Sequence, residues 1–107
     1  MRDEARSLEL ARESSGKGSR YGQFTLGLLY RHGGGGVARD DAQAVALYRL
    51  AAAQNLDDAQ YSLGYMYYDG IGVAQDDAEA LRLYQLAAAQ GHPVALFNIA
   101  LLDLFLE

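Results

Sequence analysis

The sequence predicts an all-α fold, a short α/α superhelix of stacked helix-turn-helix repeats, and three observations predict it. First, the chain repeats itself: Val37 to Asn55 matches Val73 to Gly91 at 13 of 19 positions, at an offset of 36 residues. Second, the apolar residues inside each copy recur at helical spacing. Third, a helix pair of this size cannot bury both of its faces alone. Copies must therefore stack into a solenoid whose inner surface is lined by the first helix of each pair.

Taken in order, residues 1–20 form a partial half-repeat or cap, in which Ala5 to Glu13 matches the weaker end of a unit. Ser15 to Ser19 (SGKGS) reads as a mobile connector; it lacks the first glycine, at the right distance, of a phosphate-cradling loop. Residues 21–56 are the first complete unit and residues 57–93 the second. In the first helix of the second unit, Ala59, Leu63, Met66 and Tyr67 share one stripe. The second helices repeat the device with Ala44, Leu47, Tyr48 and Ala51, and with Ala80, Leu83, Tyr84 and Ala87. Asp40 and Asp76 stand where an N-cap carboxylate accepts free backbone N–H groups. Asn55 and Gly91 stand where a left-handed C-cap is needed, and Pro93 opens the next helix. Gly33 to Gly36 is a turn, because no strand precedes it and no Lys-Ser/Thr follows. Residues 94–107 are the first helix of a third unit.

Composition narrows the function classes. The net charge is −5; residues 1–20 carry five basic and four acidic groups, and the rest carries four basic and ten acidic ones. An acidic repeat surface repels phosphate backbones, so nucleic acid is excluded as the expected partner in favour of a protein or peptide. There is no cysteine, hence no disulfide or thiolate metal site. The apolar run Val94 to Leu106 is too short to span a bilayer, so no membrane insertion is expected. The N-terminus shows no signal peptide, and the default expectation is a cytoplasmic protein. The pairs Asp40-Asp41, Asp57-Asp58 and Asp76-Asp77 are explained by helix N-terminal charge and lack a calcium-loop pattern. His32 and His92 have no ligand or catalytic companions in sequence. No metal, cofactor or catalytic residue is therefore expected, and the chain is not read as an enzyme.

The sequence is similar to the Sel1-like repeat family, relatives of the tetratricopeptide repeat. The resemblance rests on Ala59, Leu63-Gly64, Tyr67, Gly70-Ile71-Gly72-Val73, Asp76, Ala80, Leu83-Tyr84, Ala87-Ala88 and Gly91-His92. The first copy carries Leu26-Gly27, Tyr30, Val37, Asp40, Ala44, Leu47-Tyr48 and Ala51-Ala52 in the same pattern. Departures are the widened Gly33 to Gly36 turn, Asn55 in place of glycine, and the weakly matching N-terminal half-unit. The resemblance implies a right-handed α/α superhelix and a role in protein-protein interaction or scaffolding.

Tyrosine carries the functional reading. Tyr30, Tyr48, Tyr67 and Tyr84 occupy repeat positions and are explained by packing. Tyr61, Tyr65 and Tyr68 are spaced i, i+4, i+7 and fall opposite the buried stripe, facing the concave groove. The neighbouring units extend this strip with Tyr21, Phe24, Leu28 and Arg31 on one side and Phe97, Leu101 and Leu104 on the other. With Asp69 at its edge, the strip has the large rigid contacts and polar ends of a partner-binding surface. The alternative is assembly: the last helix is apolar on nearly every face, and Leu101, Leu104 and Phe105 would join the chain to its own copies.

Overall fold

The computed structural model describes residues 3–105. They form six α-helices: α1 (Glu4–Gly16), α2 (Arg20–His32), α3 (Asp41–Ala53), α4 (Asp57–Asp69), α5 (Asp77–Ala89) and α6 (Pro93–Phe105), with no strand among the described residues. Leu106 and Glu107, which the repeat pattern assigns to the third unit, lie outside the described residues. Each helix packs against its neighbours in the chain, so α2, α4 and α6 form one layer and α1, α3 and α5 the other. The result is elongated, 47 × 25 × 24 Å, with a radius of gyration of 14.3 Å. A compact domain of this length would have about 13 Å.

Helix limits follow from caps that the sequence supplies. Asp40 Oδ1 accepts from the Gln43 N–H and Asp76 Oδ1 from the Glu79 N–H, both at 3.1 Å. Asp3 and Ser19 cap α1 and α2 in the same way. The odd-numbered helices end in one repeated motif, in which a left-handed residue lets two N–H groups turn back onto the last turn. The left-handed residue is Gly18 (φ 80°), Asn55 (φ 62°) or Gly91 (φ 85°). The residue after it donates back in each case: Ser19 to Ser14 O at 3.1 Å, Leu56 to Ala51 O at 3.3 Å and His92 to Ala87 O at 3.1 Å. This corrects the expectation that Ser15 to Ser19 is a mobile connector. Ser15 and Gly16 belong to α1, Gly18 is its C-terminal turn and Ser19 is the N-cap of α2. The even-to-odd turns brace on the preceding odd helix. A Cβ on Gly72 (φ 72°) would lie 2.6 Å from the Asp41 carbonyl oxygen, so only glycine fits there.

The predicted apolar stripes are the core, except that Tyr67 is only partly buried against it. Ala44, Leu47, Tyr48, Ala51, Ala59, Leu63, Met66, Ala80, Leu83, Tyr84 and Ala87 are all buried. Tyr48 and Tyr84 fill this core because the helix opposite carries glycine. A Cβ on Gly27 would stand 2.7 Å from the Tyr48 ring, and one on Gly64 2.9 Å from the Tyr84 ring. Burial pushes the Tyr48 phenol up to about 12, and it raises Tyr84 in the same direction for the same reason. A phenol whose folded pKa is raised contributes stability that is intact below its unfolded value of about 10 and lost above it. Unfolding by alkali is therefore expected between about pH 10 and the folded value. The part of the phenolate absorbance that belongs to Tyr48 and Tyr84, read by difference from Tyr48→Phe and Tyr84→Phe, should rise together with loss of helical circular dichroism; its appearance in a still-folded chain would contradict it.

Candidate partner-binding groove

The even-numbered helices present their free face on one side of the solenoid, and side chains on it line two adjoining clefts. The first, of about 240 Å³, is lined by Leu28, Arg31 and His32 of α2, Tyr48 of α3, and Tyr61, Ser62, Tyr65 and Met66 of α4. The second, of about 330 Å³, is lined by Tyr65, Tyr68 and Asp69 of α4, Tyr84 of α5, and Asn98, Leu101, Leu102 and Phe105 of α6. Tyr65 lines both, so the clefts adjoin on either side of it along the face from α2 to α6. Tyr65 and Tyr68 are 40% and 42% exposed, rings half offered to solvent. The Asp69 carboxylate, through hydrogen bonding and charge, raises the Tyr65 phenol above its ordinary value. At the α2 end, Arg31 is held by Asp41 at 3.5 Å.

Of the residues singled out in the sequence, Leu28, Arg31, Tyr61, Tyr65, Tyr68, Asp69, Leu101 and Phe105 are brought together on this groove. Tyr61 plays a different part in it from its two companions. Its ring stacks on Tyr84, with centroids 5.7 Å apart, and on His92 at 4.9 Å, so it is half buried as a joint between α4, α5 and the turn before α6. Phe24, the same position one unit earlier, packs on Tyr48 at 5.5 Å. Tyr21 is exposed beneath the Arg20 guanidinium, 5.0 Å from the ring centroid, and lines neither cleft. Phe97 and Leu104 are likewise exposed outside both clefts.

Sequence reasoning missed the polar joints that hold the groove's walls in register. Gln54 Nε2 donates to Gln23 Oε1 at 2.8 Å and to Gly18 O at 2.9 Å. One unit later Gln90 Nε2 donates to Gln60 Oε1 and to Asn55 O, each at 3.0 Å. Gln60 also donates to Asn55 Oδ1 at 3.0 Å, so no polar atom of this buried side chain is wasted. The signal was in the duplication, which preserves both glutamine pairs. His92 is the second omission. Its Nδ1 accepts from the Ala95 N–H at 3.3 Å, capping α6, while Nε2 lies 2.9 Å from Asp58 Oδ1. The two contacts fix the neutral tautomer with hydrogen on Nε2. Among the described residues no three of His, Asp and Glu converge as a metal site requires.

Comparison with known proteins places this geometry. The Sel1 repeat family model matches residues 20–56 and 57–92. Among solved structures, a protective antigen of uropathogenic Escherichia coli with an SLR fold is similar, at 33% identity and a TM-score of 0.89 over 94% of this chain. A Sel1 repeat protein from Oxalobacter formigenes is similar at 35% identity and a TM-score of 0.83 over 89%. Cysteine rich protein B of Helicobacter pylori is similar at 27% identity and a TM-score of 0.78 over 83%. The chain spans 21%, 39% and 66% of these three, respectively. The search of curated proteins found no match.

Proposed function

This chain belongs to the Sel1 repeat family, and we propose that its even-helix face is a docking groove for an extended or helical segment of another protein. Proteins of this family are generally interaction scaffolds, without catalytic chemistry of their own. The observation that carries the reading is the pair of adjoining clefts across α2, α4 and α6, with the half-exposed Tyr65 shared by both. Aromatic side chains with few rotors lose little entropy when a partner covers them, which makes them efficient anchors.

The test uses Tyr65→Ala with Tyr68→Ala, and leaves Tyr61 in place because its stacking on Tyr84 and His92 is structural. A partner recovered on the immobilised wild-type chain, once purified, should bind the double variant at least about tenfold more weakly, with helical circular dichroism unchanged. Equal affinity for both forms would sink the groove reading.

A second reading, self-assembly, is favoured by one face of α6. Leu96 is 51% exposed where Gln60, its counterpart in α4, is 2% exposed beneath α5. Ala100 stands where α4 has Gly64, so a helix covering α6 cannot present a tyrosine as α5 does. Helix α1 has Ala11 at the place of Tyr48 and Tyr84, with Leu10 exposed beside it. Docking of α1 from one copy on α6 of the next would join chains head to tail. Light scattering on this reading gives a mass that grows with concentration above 11.6 kDa, and Leu96→Glu abolishes the growth. A constant monomer mass at high concentration argues against it. Leu101 and Leu104 fall at the positions of Tyr65 and Tyr68; Leu101 lines the second cleft, while Leu104 and Phe105 stay exposed and are available to the same contact.

A further inference from the structure

We infer that the cleft between α4 and α6, walled by Tyr65, Tyr68, Tyr84 and Phe105 with Asp69 at its rim, receives one cationic side chain, arginine or lysine, of the docked segment. The assignment deepens the groove reading and rests on it. Three features of the cleft select a cation. Its walls include the exposed aromatic rings of Tyr65, Tyr68 and Phe105, and the face of such a ring attracts a guanidinium or ammonium group. Leu101 and Leu102 offer apolar surface for the methylene stem of such a side chain. Asp69 supplies a carboxylate that forms no ion pair among the described residues.

The charge balance around the cleft points the same way. Beyond residue 20 the chain has four arginines, and each is already engaged. Arg31 and Arg39 pair with Asp41, Arg82 with Glu79, and Arg49 donates to the Tyr67 hydroxyl at 2.6 Å. None is left to neutralise Asp69. A neutral apolar side chain entering the cleft would strip water from that carboxylate without replacing its hydrogen bonds, and an acidic one would be repelled. A cation replaces the lost water with a charge-assisted hydrogen bond while its stem lies against the leucines. The adjoining cleft is different in kind: its ionic group, Arg31, is already satisfied by Asp41, so charge gives it no such preference.

The test titrates the full chain with capped single residues, N-acetyl amides of arginine, lysine and norleucine, following the backbone amide signals of Tyr65, Tyr68 and Leu101 by NMR. Arginine and lysine amides should bind at least about fivefold more tightly than the norleucine amide, the scale of a partly desolvated cation–aromatic contact with charge assistance. Asp69→Asn should cut that preference severalfold, and Asp103→Asn, an exposed carboxylate of α6 outside the cleft, should keep it. Norleucine binding as tightly as arginine, or a preference undiminished by Asp69→Asn, overturns the assignment. The groove reading is separable: a recovered partner that loses affinity with Tyr65→Ala and Tyr68→Ala but not with Asp69→Asn leaves the groove standing and the cation assignment refuted. A partner that loses affinity with both supports the two together.

Discussion

Replacing Tyr84 with alanine is expected to lower the folding free energy by about 3–5 kcal/mol, the range for removing a large buried aromatic side chain. A domain of this size holds only about 5–15 kcal/mol in total, so the loss is severe and easily read from the denaturant midpoint. Tyr84 is 2% exposed, its ring fills the space above Gly64 and stacks on Tyr61, and it touches the cluster that joins α5 to Ala95 of α6. The vacancy would thus open between units as well as within one. The partner position gives the sharper test. Helix propensity alone says that Gly64→Ala stabilises by about 1 kcal/mol. The added Cβ, 2.9 Å from the Tyr84 ring and 3.2 Å from the Ala80 carbonyl oxygen, is instead expected to destabilise by about 1–3 kcal/mol. Because Tyr84→Ala creates room for that Cβ, the double variant should be less damaged than the two losses added together. Strict additivity would show that ring and glycine do not constrain each other.

That pairing explains why the fold was legible. A duplication at an offset of 36 residues fixed the unit, and apolar spacing then assigned each of Ala44, Leu47, Tyr48, Ala80, Leu83 and Tyr84 to a buried stripe. Caps were legible for a local reason: Asp40, Asp76, Asn55 and Gly91 act on backbone groups within a few residues of themselves. The connector at Ser15 to Ser19 was misjudged because glycine and serine signal flexibility and helix ends alike. Only alignment of Gly18 with Asn55 and Gly91 tells the two apart.

The groove was legible in part. Helical phase alone put Tyr65 and Tyr68 on the open face, and both are there. Phase could not separate Tyr61 from them, since it lies on the same side of α4. What distinguishes it is the arrival of Tyr84 from α5 and His92 from the turn before α6, contacts between residues distant in sequence. The same limit hid the role of His92, whose partners Asp58 and Ala95 lie on two different helices. Periodicity describes one helix at a time, and a residue whose role depends on a neighbouring helix needs the packing geometry as well.

The glutamine joint is the strongest case of that dependence, and it supports a second large effect. Gln60 uses both ends of its amide: Nε2 donates to Asn55 Oδ1, and Oε1 accepts from Gln90. Gln60→Met keeps the shape and removes both bonds. Gln90 retains Asn55 O as an acceptor, so the expected cost is about 1–2 kcal/mol. Gln60→Glu keeps the acceptor but replaces the donor with a second oxygen facing Asn55 Oδ1, and it brings a charge to a side chain that is 2% exposed. Its cost at neutral pH should therefore exceed that of methionine, at about 3 kcal/mol or more. Acid should restore part of it, because a protonated carboxyl regains an O–H donor for Asn55. The order Met above Glu at neutral pH, with the gap closing on acidification, identifies the joint as a directed hydrogen-bond network. Equal stability of the two variants at neutral pH would mean that the amide merely fills space between α4 and α5, and that the register of the units is set by the apolar core alone.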